Sequence, residues 1–374
     1  MPLLYGFGVA KPNLQELSPT CTNTIHPTML NDTIPVRPDE QFNETAVYNH
    51  LLGKIPHSDK PLTIRQFGGG AANLTYLLDY GDAQYVLRRP PLGAVAKSAH
   101  DMGREYKVLS RLHEAFSAAP RALLYCDDPD VIGAPFFIME RRQGIVVRQT
   151  IPPAFANTAN APHQMSRALV DTLAAFHAVD YGAIGLSDLG KPDGFIQRQV
   201  EGWYRRWNRA KAEEIGAMDA VYEWLMANLP PIAAPTLIHN DYKLDNAMFA
   251  ADDPSHIIAI FDWDMCTLGD PLNDLGALLA YWRDPSDPDW LQAVSTMPTG
   301  FPSRAEMIEW YGVKSGRSTA DINFYHILGL FRVTVIIAQI YIRYHRGQTQ
   351  DKRFAAFGAM VPLMATMAQQ LTRN

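Results

Sequence analysis

The chain has 374 residues, more than one small hydrophobic core normally organises, so we expect two domains or lobes. Apolar residues make up 47% of the chain and charged residues 19%, the balance of a folded, soluble protein rather than a disordered one. The formal net charge is −6 and no long lysine or arginine run occurs, so neither nucleic acid nor an anionic membrane is expected as the main partner.

The cysteines and the N-terminus favour a reducing compartment. Cys21, Cys126 and Cys266 lie far apart and show no metal-ligand spacing, which predicts three reduced thiols. The N-terminus lacks the basic-then-apolar pattern of a secretory signal. The most apolar stretch, 333–342, is shorter than the roughly 20 residues of a membrane span and predicts a buried helix. We therefore expect a cytoplasmic protein without a membrane partner, either a monomer or a homodimer.

The first part of the chain predicts an irregular arm followed by a sheet. Residues 1–37 are rich in Pro, Thr and Asn and show little periodicity. A helix is expected from Glu44 to Leu52, with Asn43 as its N-cap. Glycines and a Gly81-Asp82 turn then separate three short strand patterns, which favour an antiparallel sheet. These strands are expected at 62–67, 73–79 and 84–88.

Helical patterns dominate the rest of the chain. Periodicity from Lys97 to Ala115 predicts a helix with Met102, Tyr106, Leu109 and Leu112 on one face. Two further short strands are expected at 122–126 and 135–139. Beyond Gly144 helices are expected at 163–178, 195–213 and 217–228. The overall expectation is an α+β fold, with an N-lobe at 38–140 that contains a small antiparallel sheet and a mostly helical C-lobe at 141–374.

Chemistry-bearing residues concentrate between 237 and 264. An apolar strand leads into a polar loop that contains His239, Asp241 and Asn246, and a second apolar strand follows. A third strand, from Ile257, ends on Asp262, with Asp264 two residues later. If these strand ends lie side by side, two carboxylates and an amide oxygen meet at one place. Phosphoryl transfer needs such a set, because a carboxylate must accept a hydroxyl proton and hard oxygens must hold Mg²⁺.

The pattern H-x-D-x-x-x-x-N followed by an I-x-D strand resembles the catalytic and metal loops of the kinase fold. Within that fold it is most similar to the aminoglycoside phosphotransferase/choline kinase family. The resemblance implies that Asp241 is the catalytic base, that Asn246 and Asp262 bind Mg²⁺, and that His239 braces the loop. Asp264 is interpreted either as a supporting carboxylate near the metal or as a solvated loop residue. The plain structural alternative is a polar turn between two strands.

Features near the N-terminus extend the same resemblance to ATP binding. Gly69, Gly70 and Asn73 lie between two strands, where backbone N–H groups could approach phosphate oxygens, although glycines of an ordinary β-turn would look alike. Arg88 takes the place of the phosphate-binding lysine, with Arg89 as the other candidate. Glu105, on the first long helix, resembles the carboxylate that pairs with this cation, or is an ordinary solvated glutamate.

The strand 135–140 resembles the hinge whose backbone meets the adenine, near Glu140 and Arg141. The stretch 86–93 is similar to the kinase-like domain fused to acyl-CoA dehydrogenases in some animal proteins. That branch usually has Ser-Asn in its glycine loop, whereas this chain has Ala72 followed by Asn73. The departure removes one hydroxyl that could contact a phosphate.

Other polar and aromatic residues have structural interpretations. Asp270 and Asp274 are expected to cap a helix and tie loops together, and His177 is expected to be a core histidine with satisfied hydrogen bonds. An aromatic cluster on one helix is expected to pack in the core, with a wall of the acceptor site as the alternative. Its members are Trp203, Tyr204 and Trp207.

The sequence therefore predicts an ATP- and Mg²⁺-dependent phosphotransferase with a small-molecule hydroxyl acceptor. The chief alternative is a pseudokinase that binds nucleotide without turnover, supported by Arg88 and Ala72. A protein kinase is disfavoured because no Asp-Phe-Gly or Ala-Pro-Glu motif follows Asp262. A metal-dependent hydrolase would leave the glycine loop and the hinge strand without a purpose.

Overall fold

The computed structural model describes residues 32–68, 73–92, 101–231, 233–294 and 297–373. Helices and strands account for most of this length. The helices are α1 (Glu44–Leu51), α2 (Met102–Leu112), α3 (Pro129–Ile132), α4 (Ala161–His177), α5 (Phe195–Ala210), α6 (Gly216–Ala227), α7 (Leu272–Tyr281), α8 (Asp289–Val294), α9 (Arg304–Ser315), α10 (Ile322–His345) and α11 (Phe357–Leu371). The strands are β1 (Thr33–Ile34), β2 (Thr63–Phe67), β3 (Leu74–Asp79), β4 (Gln84–Arg89), β5 (Ala122–Cys126), β6 (Phe136–Glu140), β7 (Ile145–Val146), β8 (Thr236–Ile238), β9 (Ala247–Ala250), β10 (Asp253–Ile260) and β11 (Thr267–Gly269).

The described chain divides into two compact units. The first contains the described residues up to Gly103 together with Ala122–Arg141, and the second contains Arg104–Arg121 and everything from Arg142 onward. The helix α2 therefore groups almost wholly with the second unit. Antiparallel strands build the first unit and helices dominate the second, so the expected α+β class is confirmed.

The first unit is a six-stranded antiparallel sheet in the order β1-β2-β3-β4-β6-β5. A tight turn at Gly81, whose φ is +85°, joins β3 to β4, so that Asp79 lies opposite Gln84. Alternate residues of these strands face a core shared with α1, to which Tyr76, Leu78 and Leu87 contribute. The side chain of Asn43 accepts a hydrogen bond from the backbone of Ala46 and caps α1, as predicted. The predicted strands and hairpin of this unit are thus confirmed.

Two small sheets in the second unit hold the polar loops of interest. The strands β10, β9 and β7 form one antiparallel sheet in that order, and β11 pairs with β8 in the other. In the first sheet Ala247 lies opposite Ile260, so the residues that precede β9 face those that follow β10. The register thereby places two separate polar segments next to each other.

Two glycines bring α7 and α10 into close contact. A Cβ atom at Gly276 would lie 2.4 Å from the backbone of Tyr325, and one at Gly329 would lie 2.5 Å from the carbonyl oxygen of Gly276. Real Cβ atoms do not approach so closely, and only glycine allows the two helix backbones to pack at this distance. The contact fixes the position of Arg332, which lies one turn beyond Gly329 on α10.

The apolar stretch predicted as a buried helix is the middle of α10, and this prediction is confirmed. The helix is longer than that stretch because the turns before it are also largely buried. Two helical segments in the described chain, Ile322–His345 and Lys352–Leu371, are long and apolar enough to cross a membrane by length and composition alone. The most apolar window of the first is 83% buried within the protein, which is typical of a core helix, and that of the second is 33% buried.

Other predicted elements differ mainly at their ends. The helix expected from Lys97 to Ala115 spans Met102–Leu112, and its predicted start lies outside the described residues. The helix expected at 195–213 ends at Ala210. Cys126 and Cys266 are buried free thiols, whereas Cys21 and most of the predicted N-terminal arm lie outside the described residues.

Stability is expected to fall between pH 7 and pH 5 because of His326 on α10. Burial, aided by nearby Arg304, lowers the pKa of His326 to about 3. Histidine in an unfolded chain has a pKa of about 6.5, so below that pH the unfolded chain binds a proton at this residue that the folded chain does not. The free energy of unfolding therefore decreases by roughly 1–2 kcal/mol by pH 5. Denaturant unfolding of the parent chain and of His326→Leu, each at pH 7 and at pH 5, measures this contribution.

The variant His326→Leu should lose less stability on acidification than the parent chain by about that amount. His256→Gln, at an exposed position on β10, is the matched control and should leave the pH dependence unchanged. An identical pH dependence in the parent and in His326→Leu would contradict the assignment.

Candidate active site

The register of β9 and β10 brings the two predicted chemical loops together. Asn246 immediately precedes β9 and Phe261 immediately follows β10, and the backbone N–H of Phe261 donates to the carbonyl oxygen of Asn246 at 2.9 Å. Asp262, the next residue, has a φ of +71° in the left-handed region, which costs a non-glycine residue energy and recurs at functional sites. The strand tips therefore converge, as the spacing of these residues predicted.

Asp241 and Asn246 contact each other directly. The side-chain nitrogen of Asn246 donates to the backbone oxygen of Asp241 at 2.9 Å and to its carboxylate Oδ2 at 3.1 Å. Because the amide uses its nitrogen for these two bonds, its oxygen is left as a ligand for a cation. Asp241 itself is only 2% exposed. Its other carboxylate oxygen, Oδ1, is buried and accepts no hydrogen bond within the described part of the chain.

His239 joins the two loops from behind. The backbone N–H of Asp241 donates to Nδ1 of His239 at 3.2 Å, and Nε2 lies 2.9 Å from the carbonyl oxygen of Phe261. Nδ1 must therefore be the acceptor and Nε2–H the donor, which requires a neutral imidazole. Complete burial lowers the pKa of His239 and favours the same neutral form. The ring also packs 4.7 Å from Trp263, measured between ring centroids.

Asp274, on α7, supports the backbone of the same loop. Its Oδ2 accepts the N–H of His239 at 2.6 Å and its Oδ1 accepts the N–H of Asn240 at 2.7 Å. His177 on α4 lies 3.3 Å from Oδ2 through Nε2 and 2.7 Å from the hydroxyl of Tyr311 through Nδ1. The expectations that Asp274 ties loops together and that His177 is a satisfied core histidine are both confirmed.

Asp270 and the aromatic cluster also agree with their structural interpretations. Asp270 accepts the N–H of Leu272 at 2.9 Å near the start of α7 and the hydroxyl of Tyr325 at 2.6 Å. Trp203 and Trp207 are 5% and 1% exposed, as core packing requires. Tyr204 stacks on Tyr222 with ring centroids 3.8 Å apart.

Lys243 is a site residue that the sequence analysis missed. Its Nζ donates to Oδ2 of Asp241 at 2.8 Å and lies 5.3 Å from the ring centroid of Tyr281. Burial by itself would lower the pKa of Lys243, but the adjacent carboxylate of Asp241 outweighs it, so the pKa is raised and the ammonium stays charged. The sequence does contain a signal for this role, because Lys243 lies only two residues after Asp241.

Arg332 is the second missed residue. Its Nη2 lies 3.9 Å from Oδ1 of Asp241, although the two residues are far apart along the chain. Arg332 directly precedes the apolar stretch 333–342, and no role was predicted for it. A charged residue inside a helix that is apolar on every side is itself a signal, because such a charge is buried only where it has a partner or a function.

The donor set suits Mg²⁺ rather than a softer metal. In the described ranges no three His, Cys, Asp or Glu side chains are grouped so as to hold a metal ion by themselves. Asn246 and Asp262 instead offer an amide and a carboxylate oxygen, both hard ligands. Mg²⁺ commonly takes one or two such protein ligands and completes its octahedron with phosphate oxygens and water. Asp264 follows in the short 3-10 helix Trp263–Met265.

Within the first unit, the two arginines of β4 face opposite sides of the sheet. Arg89 shares the face of Leu87 and the core, is 4% exposed, and donates to the carbonyl oxygen of Ile132 at 3.1 Å. Arg88 lies on the other face and is partly exposed. Strand alternation therefore leaves Arg88 as the arginine that a ligand could reach.

Asn73 is 5% exposed, yet neither polar atom of its side chain has a hydrogen-bond partner within the described residues. Gly69 and Gly70, which precede it in the predicted glycine loop, lie outside the described residues. An unsatisfied buried amide is costly, and such a group in a native protein is commonly satisfied by a water, an ion or a ligand. The side chain of Asn73 is therefore suited to a ligand contact.

The remaining predicted nucleotide residues lie in different units. Glu140 ends β6, where it lies opposite Tyr85. The side chain of Arg141 folds back on its own unit, donating to Gln84 at 2.5 Å and to Asp32 at 3.0 Å, which leaves only its backbone for a hinge role. Glu105 is 1% exposed and belongs to the second unit, and it is therefore not the ordinary solvated glutamate of the alternative interpretation.

Comparison with known proteins identifies relatives of this chain. The chain is 33% identical over 353 residues to rat (Rattus norvegicus) acyl-CoA dehydrogenase family member 11, covering 92% of this chain and 45% of that protein. It thus spans less than half the length of this curated relative. The predicted resemblance to the kinase-like domain fused to acyl-CoA dehydrogenases is confirmed.

Two solved structures show the same fold. A presumed aminoglycoside phosphotransferase from Ralstonia eutropha superimposes with a TM-score of 0.76 at 30% identity, over 89% of this chain and 99% of that one. A thermostable variant of the aminoglycoside phosphotransferase APH(4)-Ia, in ternary complex with AMP-PNP and hygromycin B, superimposes with a TM-score of 0.56 at 18% identity, over 87% and 98% of the two chains. The expected protein-kinase-like fold is therefore confirmed. Residues 63–310 match the phosphotransferase enzyme family, and the chain belongs to that family.

Proposed function

We propose that this protein transfers the γ-phosphoryl group of ATP to a hydroxyl group of a small molecule, with Mg²⁺ bound by Asn246 and Asp262. The observation that carries the proposal is the state of the Asp241 carboxylate. One oxygen, Oδ2, is held by Lys243 and Asn246, while the other, Oδ1, is buried and accepts no hydrogen bond within the described chain. An oriented carboxylate with one unused oxygen is suited to accept a proton from a substrate hydroxyl.

The proposed reaction divides its roles among few side chains. Oδ1 of Asp241 accepts the hydroxyl proton while the hydroxyl oxygen bonds to the γ-phosphorus and the bond to the bridging oxygen of ADP breaks. Lys243 keeps Oδ2 in place and holds a positive charge beside the reacting groups. Bound Mg²⁺ would neutralise the developing charge on the phosphate oxygens. His239 keeps the loops of Asp241 and Asp262 in register.

ATP binding is proposed for the first unit, through Gly69, Gly70, Asn73 and Arg88, with the backbone near Glu140 and Arg141 meeting the adenine. The unsatisfied amide of Asn73 and the partly exposed Arg88 support this role. Nucleotide binding by a relative of the same fold, the APH(4)-Ia variant with AMP-PNP, also supports it. Glu105 is proposed as a partner of the phosphate-binding cation. The cytoplasmic location and the state of monomer or homodimer stay predictions.

Replacing Asp262 by Ala is expected to weaken nucleotide binding only when Mg²⁺ is present. Loss of the single carboxylate ligand should raise the Kd for AMP-PNP in Mg²⁺ by roughly 10- to 100-fold, because the remaining amide ligand binds the ion weakly. Calorimetric titration of the full chain with AMP-PNP, with and without Mg²⁺, measures both affinities. Asp252→Ala, in the exposed turn between β9 and β10, is the matched control.

If Asp262→Ala binds AMP-PNP in Mg²⁺ as tightly as the parent, the metal role of Asp262 is wrong. A chain that binds Mg²⁺·ATP but releases no ADP with any member of a panel of hydroxyl compounds would favour the pseudokinase alternative. The presence of Asp241, Lys243 and Asn246 in one hydrogen-bonded set favours turnover.

A further inference from the structure

Arg332 has a buried guanidinium group with few hydrogen-bond partners in the described chain. It is 6% exposed, and its Nε is buried without a hydrogen-bond partner in the described part of the chain. The contact made by Nη2 with the sulfur of Met265, at 3.9 Å, is weak. Burying an arginine without acceptors for its N–H groups is unfavourable, so we expect a ligand to supply those acceptors.

The nearest carboxylate does not satisfy this guanidinium. Nη2 of Arg332 is 3.9 Å from Oδ1 of Asp241, which is within ion-pair range but too far for a hydrogen bond. Oδ1 in turn is the oxygen that accepts no hydrogen bond. The guanidinium of Arg332 and Oδ1 of Asp241 are therefore both buried and lie close together. Each of them can still form a hydrogen bond with a third group.

A second guanidinium lies close to the first. The ring of Trp203 has the guanidinium carbon of Arg206 at 4.3 Å and that of Arg332 at 5.3 Å from its centroid. Arg206 is exposed to solvent on α5; partial desolvation lowers its pKa, and the positive charge of Arg332 lowers it further. Two like charges held around one indole ring repel each other, and an anion bound between or beside them relieves that repulsion.

Within its described residues the protein supplies no carboxylate that is dedicated to these two guanidinium groups. Asp241 is the carboxylate within ion-pair distance of Arg332, and it is also paired with Lys243 at 2.8 Å. No carboxylate lies within that distance of Arg206 in the described chain. Beside the proposed catalytic carboxylate two guanidinium groups therefore lie around one buried indole ring, and these three residues form the cation patch of Arg206, Arg332 and Trp203.

We propose that the acceptor carries an anionic group, a carboxylate or a phosphate, and that Arg332 binds this group while Asp241 meets the hydroxyl. This inference rests on the proposed function and names the chemical class of its acceptor. Guanidinium groups bind both oxyanions through paired N–H donors, and the buried indole of Trp203 packs beside the guanidinium of Arg332. A cationic amino sugar would be repelled by the same charges.

The test compares four compounds that share a three-carbon hydroxyl skeleton: neutral glycerol, glycerate, glycerol phosphate and the amine serinol. Binding to the full chain is measured by calorimetry without nucleotide, and ADP release with Mg²⁺·ATP is measured separately. Glycerate or glycerol phosphate should bind roughly 10- to 100-fold more tightly than glycerol, and serinol should bind most weakly. Comparison of the two anions distinguishes a carboxylate site from a phosphate site.

Arg332→Met should abolish the preference for the anion, and Arg332→Lys should restore part of it. Arg343→Met, at an exposed position on the same helix, should leave the preference intact. The inference would be overturned if glycerol or serinol bound as tightly as the anions, or if neither anion bound. It would also be overturned if the preference for the anion survived Arg332→Met. Anion binding without ADP release in the parent chain would instead count against the proposed function alone.

If Arg332 only positioned Asp241, a different pattern of ADP release and affinities would be expected. In that case Arg332→Met would lower ADP release equally for neutral and anionic compounds and would leave their relative affinities unchanged. Selective loss of the anions in the binding measurement supports the proposed subsite, and uniform loss contradicts it.

Discussion

The variant Asp241→Asn is expected to release ADP roughly 10²- to 10⁴-fold more slowly than the parent chain, the usual effect of losing a general base. An amide can occupy the same space, but it cannot accept a proton from an attacking hydroxyl or water. The Kd for AMP-PNP should change little because Asp241 is neither a proposed Mg²⁺ ligand nor a proposed nucleotide contact. ADP release measured with Mg²⁺·ATP, with and without a hydroxyl acceptor, tests this expectation.

The control for this variant is Asp252→Asn, which makes the same chemical change at an exposed position in the turn between β9 and β10. Its rate of ADP release should equal that of the parent. A rate for Asp241→Asn within a few-fold of the parent would remove Asp241 from the mechanism.

Replacing Asp274 by Ala is expected to lower the free energy of unfolding by roughly 3–5 kcal/mol. The change leaves the N–H groups of His239 and Asn240 without their acceptor and removes a partner of His177, all in the buried interior. Asn240 has a φ of +64°, so the loop depends on these bonds to hold a strained backbone. Denaturant unfolding measures the loss.

Two matched variants separate this effect from a general sensitivity of the helices. Asp321→Ala, at the exposed start of α10 where no side-chain cap bond is made, should change stability by less than about 0.5 kcal/mol. Tyr311→Phe removes only the outer hydrogen bond to His177 and should cost roughly 0.5–1.5 kcal/mol. If Asp274→Ala is as stable as Asp321→Ala, the supporting role of Asp274 is wrong.

The similarity to aminoglycoside phosphotransferases concerns the fold and the family rather than the acceptor. The solved relative that holds hygromycin B is only 18% identical to this chain. One fold can bind many different acceptors, because the acceptor site is built from side chains that vary independently of the fold. The charges beside Asp241 are therefore a better guide to the acceptor of this protein than the ligands of its relatives.

Local sequence patterns were sufficient to predict the elements and the chemical loops. Alternation predicted β2, β3 and β4, and an asparagine cap predicted the start of α1. The four-residue spacing between Asp241 and Asn246 predicted that the two side chains meet, because a loop that short cannot separate them far. The same alternation within β4 separated Arg88 from Arg89. These features depend on residues close together along the chain.

The surroundings of Asp241 were decided only by the tertiary structure. Arg332 comes from a helix about 90 positions away, and it reaches Oδ1 because Gly276 and Gly329 let α10 approach α7. Arg206 joins it through Trp203, on another helix. Contacts between distant helices depend on packing angles and register, for which a single sequence has no local signal. The sequence by itself thus determined the local elements and the position of the polar loops, whereas the tertiary structure determined which charges surround Asp241.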